Sequence, residues 1–316
     1  MTRMMSSSGN PMRPIRSSLS SRWPADTANS ITSKGVVLLA LSLLAPAGGP
    51  APAQFASGVN LVEVYVTVTD SRGEPVTTLT KSDFEVREDG EVQTITAFAS
   101  GEVPLAVALA VDRSFSMAGE RLALARRAGR EFLRSLRPSD RSMLLAIGSD
   151  TEVVAPLSSD RLAQISGLEA LTPWSTTGLH DAIIAAINLI QPNPGRRALV
   201  LISDGQDRYS DATAAQALEA ARRSDVLVYP LAVGKNRPAL FAELAALTGG
   251  RSFFVTDPRQ LESTLSTIVR ELHHQYLLGY TPSRPMNPAQ AEFRSIRVEV
   301  RQPGLQVRAR DGYLAK

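Results

Sequence analysis

The chain has 316 residues, 43% of them hydrophobic and 21% charged, so it is longer than one ordinary domain and has ample material for packed cores. Its formal net charge of +3 is unevenly spread. Residues 1–53 hold Arg3, Arg13, Arg16, Arg22 and Lys34 against Asp26 alone, which leaves the rest at −1 and argues against nucleic acid as a partner. With no cysteine there is no disulfide framework, no thiolate metal site and no lipidated cysteine.

In chain order, residues 1–34 are rich in Ser, Arg and Pro, lack periodicity and read as a targeting n-region. Gly35–Ala47 is an apolar stretch of signal-peptide length behind Lys34, too short for a comfortable membrane span. Ala51-Pro52-Ala53 supplies a small-x-small cleavage site before Gln54. The expectation is a secreted, periplasmic or envelope protein cleaved after Ala53, with Met12 as an alternative start. The competing reading is an uncleaved N-terminal anchor, which would be the chain's only membrane contact.

Val59–Ala99 alternates apolar and polar β-formers, as a half-buried antiparallel strand does, and places a hairpin on Asp89-Gly90. Near the other end, Gln275–Thr281, Phe293–Arg301 and Gly304–Arg310 alternate in the same way. Neither set can close a core alone, so both ends are expected to build one small β-sandwich-like module around an inserted central domain.

The centre alternates strand and helix, the pattern of a doubly wound, mostly parallel, Rossmann-like α/β sheet. Predicted strands are Leu105–Val111, Arg141–Gly148 with Thr151–Pro156 as an antiparallel edge pair, Arg197–Ser203, Asp225–Val233 and Arg251–Val255. Predicted helices are Glu120–Leu136, Ser159–Leu168, Leu179–Ile190, Ala212–Arg223, Pro238–Thr248 and Pro258–His273. The expected division is a targeting segment 1–53, a β-rich module 54–103, the α/β domain 104–274 and a β-rich segment 275–316 packing with 54–103.

The first central strand stops on Asp112, and hydroxyls follow at alternate positions, Ser114 and Ser116. Polar groups just past the carboxyl end of a parallel strand stand where open α/β sheets bind ligands. A carboxylate with two hydroxyls makes a hard oxygen set suited to Mg²⁺ or Mn²⁺. Alone, Asp-x-Ser-x-Ser equally suits a turn capping the helix that starts near Gly119.

Further on, Ser175-Thr176-Thr177-Gly178-Leu179-His180-Asp181-Ala182 opens a helix, and L-I-S-D-G closes the later strand on Asp204. In order and spacing these pieces resemble the von Willebrand factor type A domain and its metal-ion-dependent adhesion site. That resemblance implies a single divalent cation, Mg²⁺ foremost with Mn²⁺ or Ca²⁺ as alternatives, held by Asp112, Ser114, Ser116, Thr177 and Asp204. Ser175 and Thr176 depart from the usual glycines beside the family's threonine. The wider layout, with its short β preface, resembles von Willebrand A-related proteins of soil bacteria.

Of the three histidines, adjacent His273 and His274 cannot share a metal in the i, i+4 manner and are expected at the surface or capping a helix end; His180 is the third. Arg121, Arg126, Arg127, Arg130 and Arg134 read as a solvated helix face, with a partner-binding face as the alternative. Trp174, just before the threonine loop, is a candidate contact residue, with packing as the other reading.

Two functional classes follow. One is a binding module in which a partner's Asp or Glu carboxylate completes the coordination of the metal. The other is a secreted Mg²⁺-dependent hydrolase using the same oxygens. The chain has no G-x-S-x-G, no phosphate loop and no H-E-x-x-H, and Ser114 stands where a haloacid-type phosphatase needs a second carboxylate. The expectation is therefore a non-enzymatic adhesion or interaction module. The resemblance also brings a question of switching, because type A domains are known for shifting their last helix. Here Pro258–His273 leads without a linker into Gln275–Tyr280, so a shift would pull on the β module; a helix simply fixed in place is the other reading.

Overall fold

The computed structural model describes residues 61–316 except Glu102 and Pro288, so the targeting segment and its cleavage site lie outside the described residues. Four strands come first: β1 (Val62–Thr69), β2 (Phe84–Glu88), β3 (Glu91–Gln93) and β4 (Ile95–Ser100). The alternating part follows as β5 (Leu105–Asp112), α1 (Glu120–Ser135), β6 (Arg141–Ile147), β7 (Thr151–Ser158), α2 (Arg161–Glu169) and α3 (Leu179–Ile190). It continues through β8 (Arg196–Ser203), α4 (Ala214–Arg223), β9 (Val226–Val233), α5 (Ala239–Thr248), β10 (Phe253–Val255) and α6 (Leu261–His273). The chain ends with β11 (Tyr276–Tyr280), β12 (Glu292–Val300), β13 (Gln306–Arg308) and β14 (Gly312–Ala315).

The central sheet has the order β10-β9-β8-β5-β6-β7, parallel throughout except for the antiparallel edge pair β6–β7. The doubly wound sheet expected from the alternation is thus present. Its strands are apolar on both faces because helices cover both. Leu105, Val107, Leu109 and Val111 of β5 pack with Phe132 of α1, Leu168 of α2 and Ile268 of α6. The intervening Ala106, Ala108 and Ala110 face Ile183 of α3 and Phe241 of α5. From β5 the chain builds outward first through β6 and then, on the other side, through β8. The reversal between β5 and β8 is a topological switch point, the place where such sheets open a crevice at their carboxyl ends.

The remaining strands form two antiparallel four-stranded sheets, β13-β1-β11-β4 and β14-β12-β2-β3. Each draws strands from both ends of the described chain, and they enclose one core that includes Val64, Phe84, Val86, Leu278, Tyr280 and Tyr313. The Asp89-Gly90 hairpin between β2 and β3 has positive φ at both positions, 47° and 88°, as a two-residue primed turn requires. Two expectations need correction here. Strand β1 is buried on both faces rather than half-solvated, because Tyr65 packs into the α/β core while Val64 and Val66 face the sandwich. The second concerns strand β14, whose four residues are too few to carry a period in the sequence.

The two parts are joined by buried polar contacts as well as by the chain. Gln275, between α6 and β11, donates to Thr67 Oγ1 of β1 at 2.9 Å and to the Tyr229 hydroxyl of β9 at 3.3 Å. Glu271 of α6 is fully buried and pairs with Arg308 of β13 at 2.6 Å and with Arg251 at 2.8 Å. His273 is buried rather than exposed, with Nε2 2.9 Å from Asp140 Oδ2, a partner 133 positions away that no local pattern points to. His274 keeps the capping role, its Nδ1 2.7 Å from the Arg270 carbonyl.

The end of α5 is the tightest of these joints. Gly249 ends the helix in the left-handed region, φ 79°, and a Cβ there would lie 2.5 Å from the backbone carbon of Ala309. Gly249→Ala should therefore lower stability by at least about 2 kcal/mol, from left-handed strain plus the displaced C-terminal segment. Urea denaturation checks this, and a loss below half that figure would mean that the segment yields freely.

Candidate metal centre

Asp112 ends β5, and the chain then turns through a short 3-10 turn, Phe115–Met117, whose N-cap is Ser114. The turn brings alternate hydroxyls together: Ser114 Oγ and Ser116 Oγ are 3.1 Å apart, and the Ser114 N–H donates to Asp112 Oδ1 at 2.8 Å. Asp112 is fully buried, Ser114 nearly so, and Ser116 exposed. On the neighbouring strand β8, Ser203 donates its hydroxyl to Asp112 Oδ2 at 2.6 Å and accepts the Gly205 N–H at 3.0 Å. Asp204 follows directly, 7% exposed, its Oδ1 accepting the Gln206 N–H at 3.1 Å.

Asp204 Oδ2 is buried and has no hydrogen-bond partner. A buried carboxylate oxygen without a partner is costly. Burial also pushes the Asp112 carboxyl above the usual carboxylate range; bonds from Ser114 and Ser203 work against this, while the nearby charge of Asp204 adds to it. Two like charges thus share this crevice, and among the described residues neither carboxylate forms an ion pair, although Arg121 and Lys235 line the cavity beside Asp204. Among the described residues there is no group of three or more His, Cys, Asp or Glu side chains placed to hold a metal. The donors gathered here are two carboxylates and hydroxyls, a set that fits a hard divalent cation with room for an outside ligand.

The loop that carries Thr177 is tied by its backbone to the loops after Asp112 and Asp204. Trp174 donates its N–H to the Arg113 carbonyl at 2.7 Å, and the Phe115 N–H donates to the Ser175 carbonyl at 3.1 Å. From the other side the N–H groups of Arg208 and Tyr209 donate to the Thr177 carbonyl at 2.9 and 3.1 Å. Thr177 itself is buried. Ser175, one of the two departures from glycine, adopts φ 64°, a conformation that a glycine would take without strain. The carboxylate of Asp207 ties the loops further by accepting the Leu179 N–H at 2.8 Å at the start of α3, and His180 stands 3.5 Å from it. His180 thereby serves to brace the loop after Asp204.

Sequence reasoning missed Ser203 and Asp207. Ser203 precedes Asp204 directly, but its bond to Asp112 depends on β5 and β8 being neighbours. It also missed two of the three exposed aromatics on these loops. Phe115, Trp174 and Tyr209, one from each loop, are 69%, 60% and 62% exposed. For Trp174 this favours the contact reading over packing. Of the arginines on α1, Arg127, Arg130 and Arg134 pair with Glu262, Glu169 and Glu131, as a solvated face does. Arg126 donates to the carbonyls of Glu169 and Leu171, and Arg121 stands apart, donating only to the Ser116 carbonyl at 3.0 Å.

Comparison with known proteins agrees with this architecture. Residues 107–206 match the family model described as the von Willebrand factor type A domain. A UPF0353 protein of Mycolicibacterium paratuberculosis is 25% identical over 209 residues, which cover 55% of this chain and 62% of that protein. The chain therefore spans less than two thirds of that relative's length. Among solved structures, a von Willebrand factor type A protein from Catenulispora acidiphila superposes with a TM-score of 0.52 at 13% identity, covering 84% of this chain and 65% of that one. BatB from Bacteroides thetaiotaomicron reaches a TM-score of 0.45 at 21% identity, covering 53% of this chain and 98% of its own. The α/β part of this chain has a von Willebrand factor type A-like fold, and residues 107–206 within it match that family's model.

Proposed function

We propose that the chain is a non-enzymatic interaction module that captures a protein partner through a divalent cation, Mg²⁺ foremost, held by Asp112, Ser114, Ser116, Thr177 and Asp204. The observation that carries this reading is the buried, partnerless Asp204 Oδ2 beside the buried Asp112. A cation would neutralise both carboxylates and, with so few anionic ligands, retain affinity for one more. A partner's Asp or Glu supplies that ligand. The exposed rings of Phe115, Trp174 and Tyr209 supply the kind of apolar anchor that protein interfaces concentrate energy on. That rim favours a macromolecular ligand over the hydrolase alternative.

A place outside the cytoplasm, in the envelope or secreted, belongs to the same proposal and rests on the N-terminal apolar stretch read from the sequence. Among the described residues no helix is long and apolar enough to cross a membrane.

Calorimetric titration of the wild type with Mg²⁺ and Mn²⁺ should give one site, absent in Asp112→Ala. Immobilised wild type should then retain a protein from envelope extracts that EDTA releases, and Asp112→Ala should not retain it. Equal metal binding by both proteins would rule out the five-residue site, and retention indifferent to EDTA would rule out metal-assisted capture.

A further inference from the structure

A cavity of about 260 Å³ opens beside Asp204, and its wall includes Arg121, Gln206, Lys235, Asn236 and Pro238. Asp204 is its only acidic residue, against two cations. Among the described residues neither Arg121 nor Lys235 forms an ion pair, whereas Arg127, Arg130 and Arg134 on the same helix all do. Arg121 also occupies the first turn of α1, where the helix dipole disfavours a positive charge. Gly119, the N-cap of that helix, contributes no side-chain cap, so the positive end of the helix adds to the same field. The wall is firmly built as well: Gly205, at φ 80°, packs so closely that a Cβ would fall 2.1 Å from Pro238 Cγ.

We infer that this cavity is a second, anion-holding subsite, and that the module selects an acidic segment carrying two carboxylates, one for the metal and one for Arg121 and Lys235. The inference rests on the metal reading for the first carboxylate alone. Guanidinium and ammonium groups without carboxylate partners supply charge-assisted hydrogen bonds to the second. Gln206 and Asn236 supply neutral amide donors beside them. In an extended peptide, residues i and i+2 stand on one side of the chain about 6.5 Å apart, so two acidic residues at those positions present both carboxylates to one surface. The subsite accounts for an arginine at a helix start where charge alone opposes it.

The test titrates the full chain in Mg²⁺ with two probes, acetyl-Asp-Gly-Glu-amide and acetyl-Asp-Gly-Gln-amide, following the amide resonances of Gln206, Gly234 and Asn236. The diacid should bind about tenfold tighter than the monoacid. The R121Q/K235Q double variant should lose that preference while binding Mg²⁺ calorimetrically as the wild type does. Equal affinity for the two peptides, or a preference that survives in the double variant, overturns the subsite. Inorganic phosphate is the third probe; if it matches the diacid at the same resonances, the cavity takes any anion and the acidic-segment assignment fails. Intact Mg²⁺ binding without diacid preference sinks the subsite alone. No Mg²⁺ binding, with a preference that still depends on Arg121 and Lys235, sinks the metal reading and leaves the subsite standing.

Discussion

Magnesium at a hundred times its dissociation constant should stabilise the wild type by about 2.7 kcal/mol, the linkage value for a ligand that binds only the folded state. For a chain of this size that raises Tm by roughly 5–10 °C. Asp204→Asn should abolish the shift and, in EDTA, should itself be more stable than the wild type by roughly 1–3 kcal/mol. The second effect follows from Asp204 Oδ2 being buried without a partner near a buried Asp112, since an amide there removes one of two like charges at little change in volume. The pH dependence has the matching sign. Burial raises the folded-state pKa of Asp112, so between the unfolded and folded values the folded chain holds the extra proton. Its contribution to metal-free stability therefore falls as pH rises through that window. A metal ion competes with the same proton, so Mg²⁺ affinity falls on acidification. Differential scanning fluorimetry in EDTA and in Mg²⁺ tests all of this, and a less stable Asp204→Asn in EDTA would show that the carboxylates coexist without penalty.

Much of the architecture was legible because its physics is local. Uncharged runs such as Leu105–Val111 mark strands buried on both faces, and a carboxylate closing such a run marks a strand's carboxyl end. The hairpin was legible because Asp89-Gly90 is turn chemistry that permits positive φ twice. What could not be read depended on which elements become neighbours. The bond from Ser203 to Asp112 needs β8 beside β5, and the burial of His273 needs Asp140 beneath the end of α6. The alternation in β1 promised a solvated face, but that face meets the α/β core through Tyr65. Exposure was equally hidden: a lone Phe115 among polar neighbours suits a buried anchor as well as an exposed ring, and the turn it occupies turns it to solvent.

Glu88→Ala should cost about 3–5 kcal/mol, the largest loss expected of a single substitution outside the metal centre. Glu88 of β2 is 3% exposed and Arg294 of β12 is 1% exposed, with Oε1 and Nη1 3.1 Å apart. The hydroxyls of Tyr280 on β11 and Tyr313 on β14 each donate to Glu88 Oε2 at 2.8 Å. Burial first, and then the carboxylate beside them, pushes both phenols far above their usual pKa, so they remain donors across the stable range of pH. Arg294 further donates to the carbonyls of Arg284 and Pro285, each at 2.7 Å. Removing the carboxylate leaves the buried guanidinium with only the half-exposed Glu292, 2.7 Å away, as counter-charge, and two buried hydroxyls without an acceptor, which is why the loss exceeds that of an ordinary ion pair. Glu88→Gln keeps the shape and separates the charge from the packing. Arg294→Met should cost less, since the two phenols still solvate Glu88. In the double variant Glu88→Ala with Arg294→Met, the cost should fall short of the sum of the singles by about 1–3 kcal/mol. Because Glu88 precedes the α/β domain and its partners all follow it, hydrogen exchange should report the same loss as faster exchange in β12 and β14. Unchanged protection there, or a Glu88→Ala cost below about 1 kcal/mol, would mean that the two ends of the chain do not share one cooperative core.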